Sequence, residues 1–83
     1  MAADVEVLTA AREVVSEITR RKLDDSAPIL SSGIIDSLAI LKLISSLERR
    51  LGIVIPTNQV QPDDFDSVEL IVETIKRVTK KNG

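Results

Sequence analysis

The sequence predicts an all-α fold, a small bundle of three to four helices with a long loop between the first and the second. Three observations carry this. Apolar residues recur at three- and four-residue steps in three separate stretches, the pattern of helices with one buried stripe. The β-branched run Ile53-Val54-Ile55 has no second run to pair with, and a lone strand is not stable. At 83 residues the chain is expected to form one domain over 1–83, with connections long enough to fold three helices against one another.

The first helix is expected over residues 4–22. Val7, Leu8, Ala11, Val14, Val15 and Ile18 make its stripe, and Asp4 is a candidate N-cap. Arg20, Arg21 and Lys22 would oppose the negative end of the helix dipole. Pro28 blocks any continuation. The connection over 23–35 is not polar throughout: Ile29, Leu30, Ile34 and Ile35 need cover, so it is expected to pack across the helices. Gly33 permits a tight turn before the next helix.

The second helix is expected over 37–51, with Asp36 as N-cap and Ser37 as its first residue. Ile40, Leu43, Ile44, Leu47 and Leu51 face inward, while Leu38 and Leu41 lie on a flank. Gly52 fits the position just past the end, after Arg49 and Arg50. Ile53-Val54-Ile55-Pro56 reads as an apolar loop segment, followed by short turns over 57–61 and Pro62–Phe65. Asp66 or Ser67 opens the last helix; with Asp66 as the cap, Glu69 would take the reciprocal capping-box position. Val68, Ile71, Ile75 and Val78 form its stripe, widened by Val72, and Lys76, Arg77, Lys80 and Lys81 match its dipole.

Composition narrows the chemistry. The chain has no cysteine and no histidine, which removes thiolate nucleophiles, the commonest general base and the commonest metal ligands. No catalytic residue and no metal site are expected. One aromatic residue, Phe65, and a net charge of −2 give neither stacking platforms nor a cationic footprint for nucleic acid. No apolar run approaches the roughly 20 residues that span a bilayer, and Met1-Ala2-Ala3-Asp4 does not begin a secretory signal, so a cytoplasmic protein without membrane insertion is expected. Nothing demands more than a monomer. The acid pairs Asp24-Asp25 and Asp63-Asp64 are adjacent in sequence and do not converge on a substrate; they read as solvated acids or caps. Asp63, Asp64 and Asp66 fall short of a calcium loop. The basic clusters at helix ends read as solvated faces.

Ser37 is the remaining chemical candidate. A hydroxyl at the first residue of a helix meets unpaired backbone N–H groups and the positive end of the dipole, so an anion attached there is stabilised. It is suited to carry a phosphate ester. The same Asp36-Ser37 pair is also ordinary capping chemistry.

Gly33-Ile34-Ile35-Asp36-Ser37-Leu38, the amphipathic helix ending in Leu51-Gly52-Ile53, and Asp64-Phe65-Asp66-Ser67-Val68 together resemble the acyl, aminoacyl and peptidyl carrier proteins over nearly the whole chain. The resemblance implies a bundle of the acyl-carrier type with a covalent 4′-phosphopantetheine arm on Ser37, donated from coenzyme A by a phosphopantetheinyl transferase. Asp36 and Leu38 would be read by partner enzymes. The arm would carry acyl or aminoacyl groups as thioesters between loading and transferring enzymes of fatty-acid, polyketide, peptide or cell-envelope biosynthesis. The protein itself would be no enzyme.

Two features set this chain apart from fatty-acid carriers, whose corresponding helix is usually acidic on its exposed face. Here it carries Lys42, Arg49 and Arg50 against Glu48, and Ile34-Ile35 before Asp36 is more similar to the D-alanyl and other stand-alone aminoacyl carriers. Two alternatives therefore stand beside an acyl cargo: an aminoacyl or D-alanyl cargo, or an unmodified helical adaptor that binds a partner helix through Leu38 and Leu41.

Overall fold

The computed structural model describes residues 4–81, with side chains through Thr79. It holds α1 (Asp4–Thr19), α2 (Ser37–Leu51) and α3 (Val68–Lys81), with 3-10 turns at Thr57–Gln59 and Pro62–Phe65. The described residues contain no strand. The bundle thus has three α-helices; the fourth that the sequence allowed is replaced by the two turns. Val60 and Gln61 are both extended between them, as the residue before Pro62 is biased to be, so no continuous helix can form there.

α1 stops at Thr19, three residues short of the expected end at residue 22. Arg20 takes the left-handed conformation (φ 58°) and donates its N–H to the Ser16 carbonyl at 2.8 Å. The Thr19 hydroxyl donates to the Val15 carbonyl at 2.7 Å and accepts from the Arg21 N–H at 3.2 Å, which closes the end. Arg20, Arg21 and Lys22 therefore lie beyond the last turn rather than in it. Asp4 sits inside the first turn rather than capping it, still at the positive end of the dipole and paired with Lys76 at 3.2 Å.

The core is built where the stripes predict. Val7, Ala11, Val14 and Val15 of α1 meet Ile40, Leu43, Ile44 and Leu47 of α2 and Val68, Ile71 and Ile75 of α3, with Ala10 joining them. Phe65 is the largest fully buried side chain. Ile29 and Ile55 are also buried, so both connections contribute to the interior. Some charges expected to be solvated are paired instead. Arg50 bridges Glu13 (3.0 Å) and Glu17 of α1, and Arg77 reaches Asp64 at 3.4 Å. The side chains of Lys80 and Lys81 lie outside the described residues.

The connection from α1 to α2 is tied through Asp25 to both α1 and α3. Arg12 donates two bonds to Asp25, Nε to Oδ1 at 3.0 Å and Nη2 to Oδ2 at 2.7 Å. These bonds hold the Asp25 carboxyl below its ordinary range. The Asp25 carbonyl accepts from the Glu69 N–H at 3.0 Å, which joins the same loop to the first turn of α3.

Candidate functional site

The approach to Ser37 is set by a folded-back loop. The Gly33 N–H donates to the Leu30 carbonyl at 3.0 Å, and Gly33 itself has φ 82°, a conformation that glycine adopts without strain. The Ile35 N–H then donates to the Ile29 carbonyl at 2.9 Å. This brings the chain to Asp36, which is extended (φ −107°, ψ −179°) and turns directly into α2.

Asp36 caps the helix as expected. Its Oδ1 accepts from the Ala39 N–H at 2.9 Å, and its carbonyl accepts the first intrahelical bond, from the Ile40 N–H at 3.2 Å. Among the described residues nothing accepts from the N–H groups of Ser37 and Leu38, and the Ser37 hydroxyl has no partner. Ser37 is exposed. Its hydroxyl therefore stands free beside two open amide donors and the positive end of a 15-residue helix. A groove of about 450 Å³ lined by Gly33, Ile34, Ile35, Asp36 and Ala39 lies alongside. Leu38 and Leu41 are 70% and 56% exposed, so neither belongs to the core.

The other end of α2 is closed by Gly52 (φ 64°), whose N–H donates to the Glu48 carbonyl at 2.9 Å. The Glu48 carboxylate turns away from the outward face and accepts from the Ile55 N–H at 2.8 Å.

Asp66 has a role that sequence reasoning missed. It does not cap α3; the Ser67 hydroxyl does, accepting from the Leu70 N–H at 3.1 Å. Asp66 Oδ1 instead accepts from three successive amides, Ile29 (3.0 Å), Leu30 (2.7 Å) and Ser31 (3.0 Å). Its carbonyl also accepts from the Ile29 N–H, at 2.7 Å. Burial alone would raise the Asp66 pKa. The bonds from the Ser31 amide and hydroxyl and from Leu30 and Ile29 outweigh it and hold the carboxyl below its ordinary range. The segment that delivers Ser37 is thus fastened to the start of α3. Thr74, buried on α3, was also missed; its hydroxyl donates to the Asp64 carbonyl at 3.1 Å. Asp64 itself closes the preceding turn by accepting from the Gln61 N–H at 2.8 Å.

The eight serines differ in what their hydroxyls do. Ser67 is a buried cap, the Ser31 hydroxyl lies beside the Asp66 carboxylate, and Ser32 donates to the Pro28 carbonyl. Ser16 and Ser46 are partly buried, Ser26 is in a loop, and Ser45 is in mid-helix. Ser37 is the one that is exposed at an open helix start.

No curated protein and no solved structure matches the chain. A family model does: that of the phosphopantetheine attachment site matches residues 9–79, which includes all of α2 and the loop before it. The chain therefore belongs to the phosphopantetheine attachment site family, whose domain binds a covalently attached 4′-phosphopantetheine group.

Proposed function

We infer that Ser37 is the residue that holds the arm, as a phosphate ester on its Oγ, and that the protein is a non-catalytic carrier of acyl or aminoacyl groups. The observation that supports this most directly is the free, exposed hydroxyl at the first residue of α2, beside open Ser37 and Leu38 amides. A phosphate there receives the favourable field of the helix start. Asp36 remains bonded to the Ala39 amide and so holds the helix start without using Ser37.

The arm supplies a terminal thiol, a group this chain has none of, to hold a carboxylic acid cargo in activated form. The protein's own residues position that arm. Asp36 fixes the first turn, the Gly33 turn sets the angle of approach, and the Asp66 carboxylate immobilises the loop behind it. Leu38 and Leu41, exposed one turn apart, are the apolar contacts for partner enzymes, with Asp36 as their acidic neighbour. Those partners are a phosphopantetheinyl transferase and the enzymes that load and unload the cargo. We place the protein in the cytoplasm, as a monomer.

Intact-mass measurement after incubation with coenzyme A and a broad-specificity phosphopantetheinyl transferase tests the assignment. Wild-type protein is expected to gain one phosphopantetheine and Ser37→Ala to gain none. A gain that persists in Ser37→Ala places the arm elsewhere, and no gain in the wild type favours an unmodified adaptor.

A further inference from the structure

The outward face of α2 carries a charge pattern that helix stability does not explain. At 3.6 residues per turn, Leu38, Lys42, Ser45 and Arg49 fall on one line, opposite the buried Ile40, Leu43, Ile44 and Leu47. All four are exposed. Leu41 flanks the line, and a shallow groove of about 420 Å³ runs between Ile18 of α1 and Leu41, Lys42, Ser45, Ser46 and Arg49. The chain as a whole is net negative at −2, yet this line holds two cations and no carboxylate.

Of the nearby acids, Glu48 is turned toward the chain beyond the helix and Asp36 stands at the N-terminal edge of the face. Glu48 accepts from the Ile55 amide and Asp36 from the Ala39 amide. Arg50 is bridged to Glu13 and Glu17, so it does not add to the face. Among the described residues Lys42 and Arg49 pair with no carboxylate. Arg49 has a helix-dipole reason to be where it is, in the last turn. Lys42 has none, since it lies mid-helix, outside the last turn where the dipole favours a cation. The first turn of α2 also lacks acids, whereas α1 has Asp4 and Glu6 and α3 has Glu69 there. The carboxylate at its positive end is the Asp36 cap, and of the three α-helices it is the one that exposes two leucines.

We propose that the α2 face formed by Leu38, Leu41, Lys42 and Arg49 docks protein partners whose contact surface is an apolar recess rimmed by carboxylates. The leucines fill the recess and the two cations select the acidic rim and steer the approach. A lipid surface fits less well, because anionic membranes are held by clusters of about 4–8 basic residues and this face offers two. The proposal rests on the reading of Ser37 as the carrier residue for its biological purpose, but its test does not require the arm.

The test titrates isotope-labelled full-length protein, with its arm loaded and without it, by NMR. The probes are a synthetic amphipathic helical peptide of Leu and Glu, its Leu and Lys counterpart, and phosphatidylglycerol vesicles. The expected result is saturable shifts over residues 38–49 with the Glu peptide only. Lys42→Glu/Arg49→Glu is expected to weaken that binding about tenfold and to admit the Lys peptide, a swap that also shows the variant is folded. Raised salt is expected to weaken the wild-type interaction. Equal or tighter binding of the Lys peptide by wild type, shifts centred on another helix, binding to the vesicles instead, or no binding to the Glu peptide at millimolar concentration would each overturn the proposal. Intact mass of the same samples reports separately whether Ser37 accepts the arm.

Discussion

Three successive amides converging on one carboxylate oxygen make Asp66 the residue on which the loop before Ser37 depends. Hydrogen bonds to a charged acceptor are the stronger kind, and an amide isostere keeps the geometry while losing the charge. Asp66→Asn is therefore expected to lower stability at neutral pH by roughly 1–2 kcal/mol, a figure already reduced because the site is only partly buried. The pH dependence has a definite sign. The folded pKa of Asp66 is depressed, so its contribution is present above the ordinary carboxylate value and is lost as pH falls through the folded value. Urea midpoints of wild type and Asp66→Asn measured from neutral pH downward should converge in acid. A gap that stays constant down to pH values below the carboxylate range would show that the charge contributes nothing. Amide exchange at Ile29, Leu30 and Ser31 should be faster in the variant.

At the scale of elements, α2 divides labour between neighbouring residues. Asp36 makes the capping bond and Ser37 makes none. Asp36→Ala should cost about 1 kcal/mol in urea unfolding, the usual loss for a removed N-cap, and Ser37→Ala should be close to neutral. The reverse order would mean that the helix starts one residue later than Ser37. α2 was fully legible in the sequence because its signals are local: an Asp-Ser start, a 3.6-residue stripe and Gly52 at the end. The end of α1 was not. Its charged residues suit a last turn, yet Arg20 adopts a left-handed conformation and the helix closes through the Thr19 hydroxyl, with the following loop pinned by Arg12 and Asp25. Asp66 was illegible for a related reason. Both Asp66 and Ser67 are good caps, and the choice is made by contacts 35 to 37 residues away, between the Asp66 carboxylate and the loop after Pro28. The site stands between these cases. Local pattern identified Ser37 as an exposed helix start, but capping chemistry alone could account for it; only the likeness over the whole chain pointed to an arm.

On the scale of the whole molecule, the site is only as firm as a small core. Phe65 is the one aromatic residue, is fully buried, and lies in the turn that leads directly to Asp66. Its removal would empty the largest side-chain volume in the interior and loosen the anchor of the Ser37 loop at the same time. Large-to-small aromatic substitutions in cores cost about 3–5 kcal/mol. A single core in a chain this short rarely supplies more than roughly 3–5 kcal/mol in total. Phe65→Ala is therefore expected to leave most molecules unfolded at room temperature, seen as loss of helical circular dichroism and of a cooperative melt. Phe65→Leu keeps most of the volume and should remain folded, at a cost of about 1–2 kcal/mol. A cooperative Phe65→Ala melt within a few degrees of wild type would mean that the two turns pack on the three helices without holding them, and that α1, α2 and α3 are stable as a bundle by themselves. The opposite result would make the connection between α2 and α3 as much a part of the core as the helices, which is what the burial of Ile55 and Phe65 together requires.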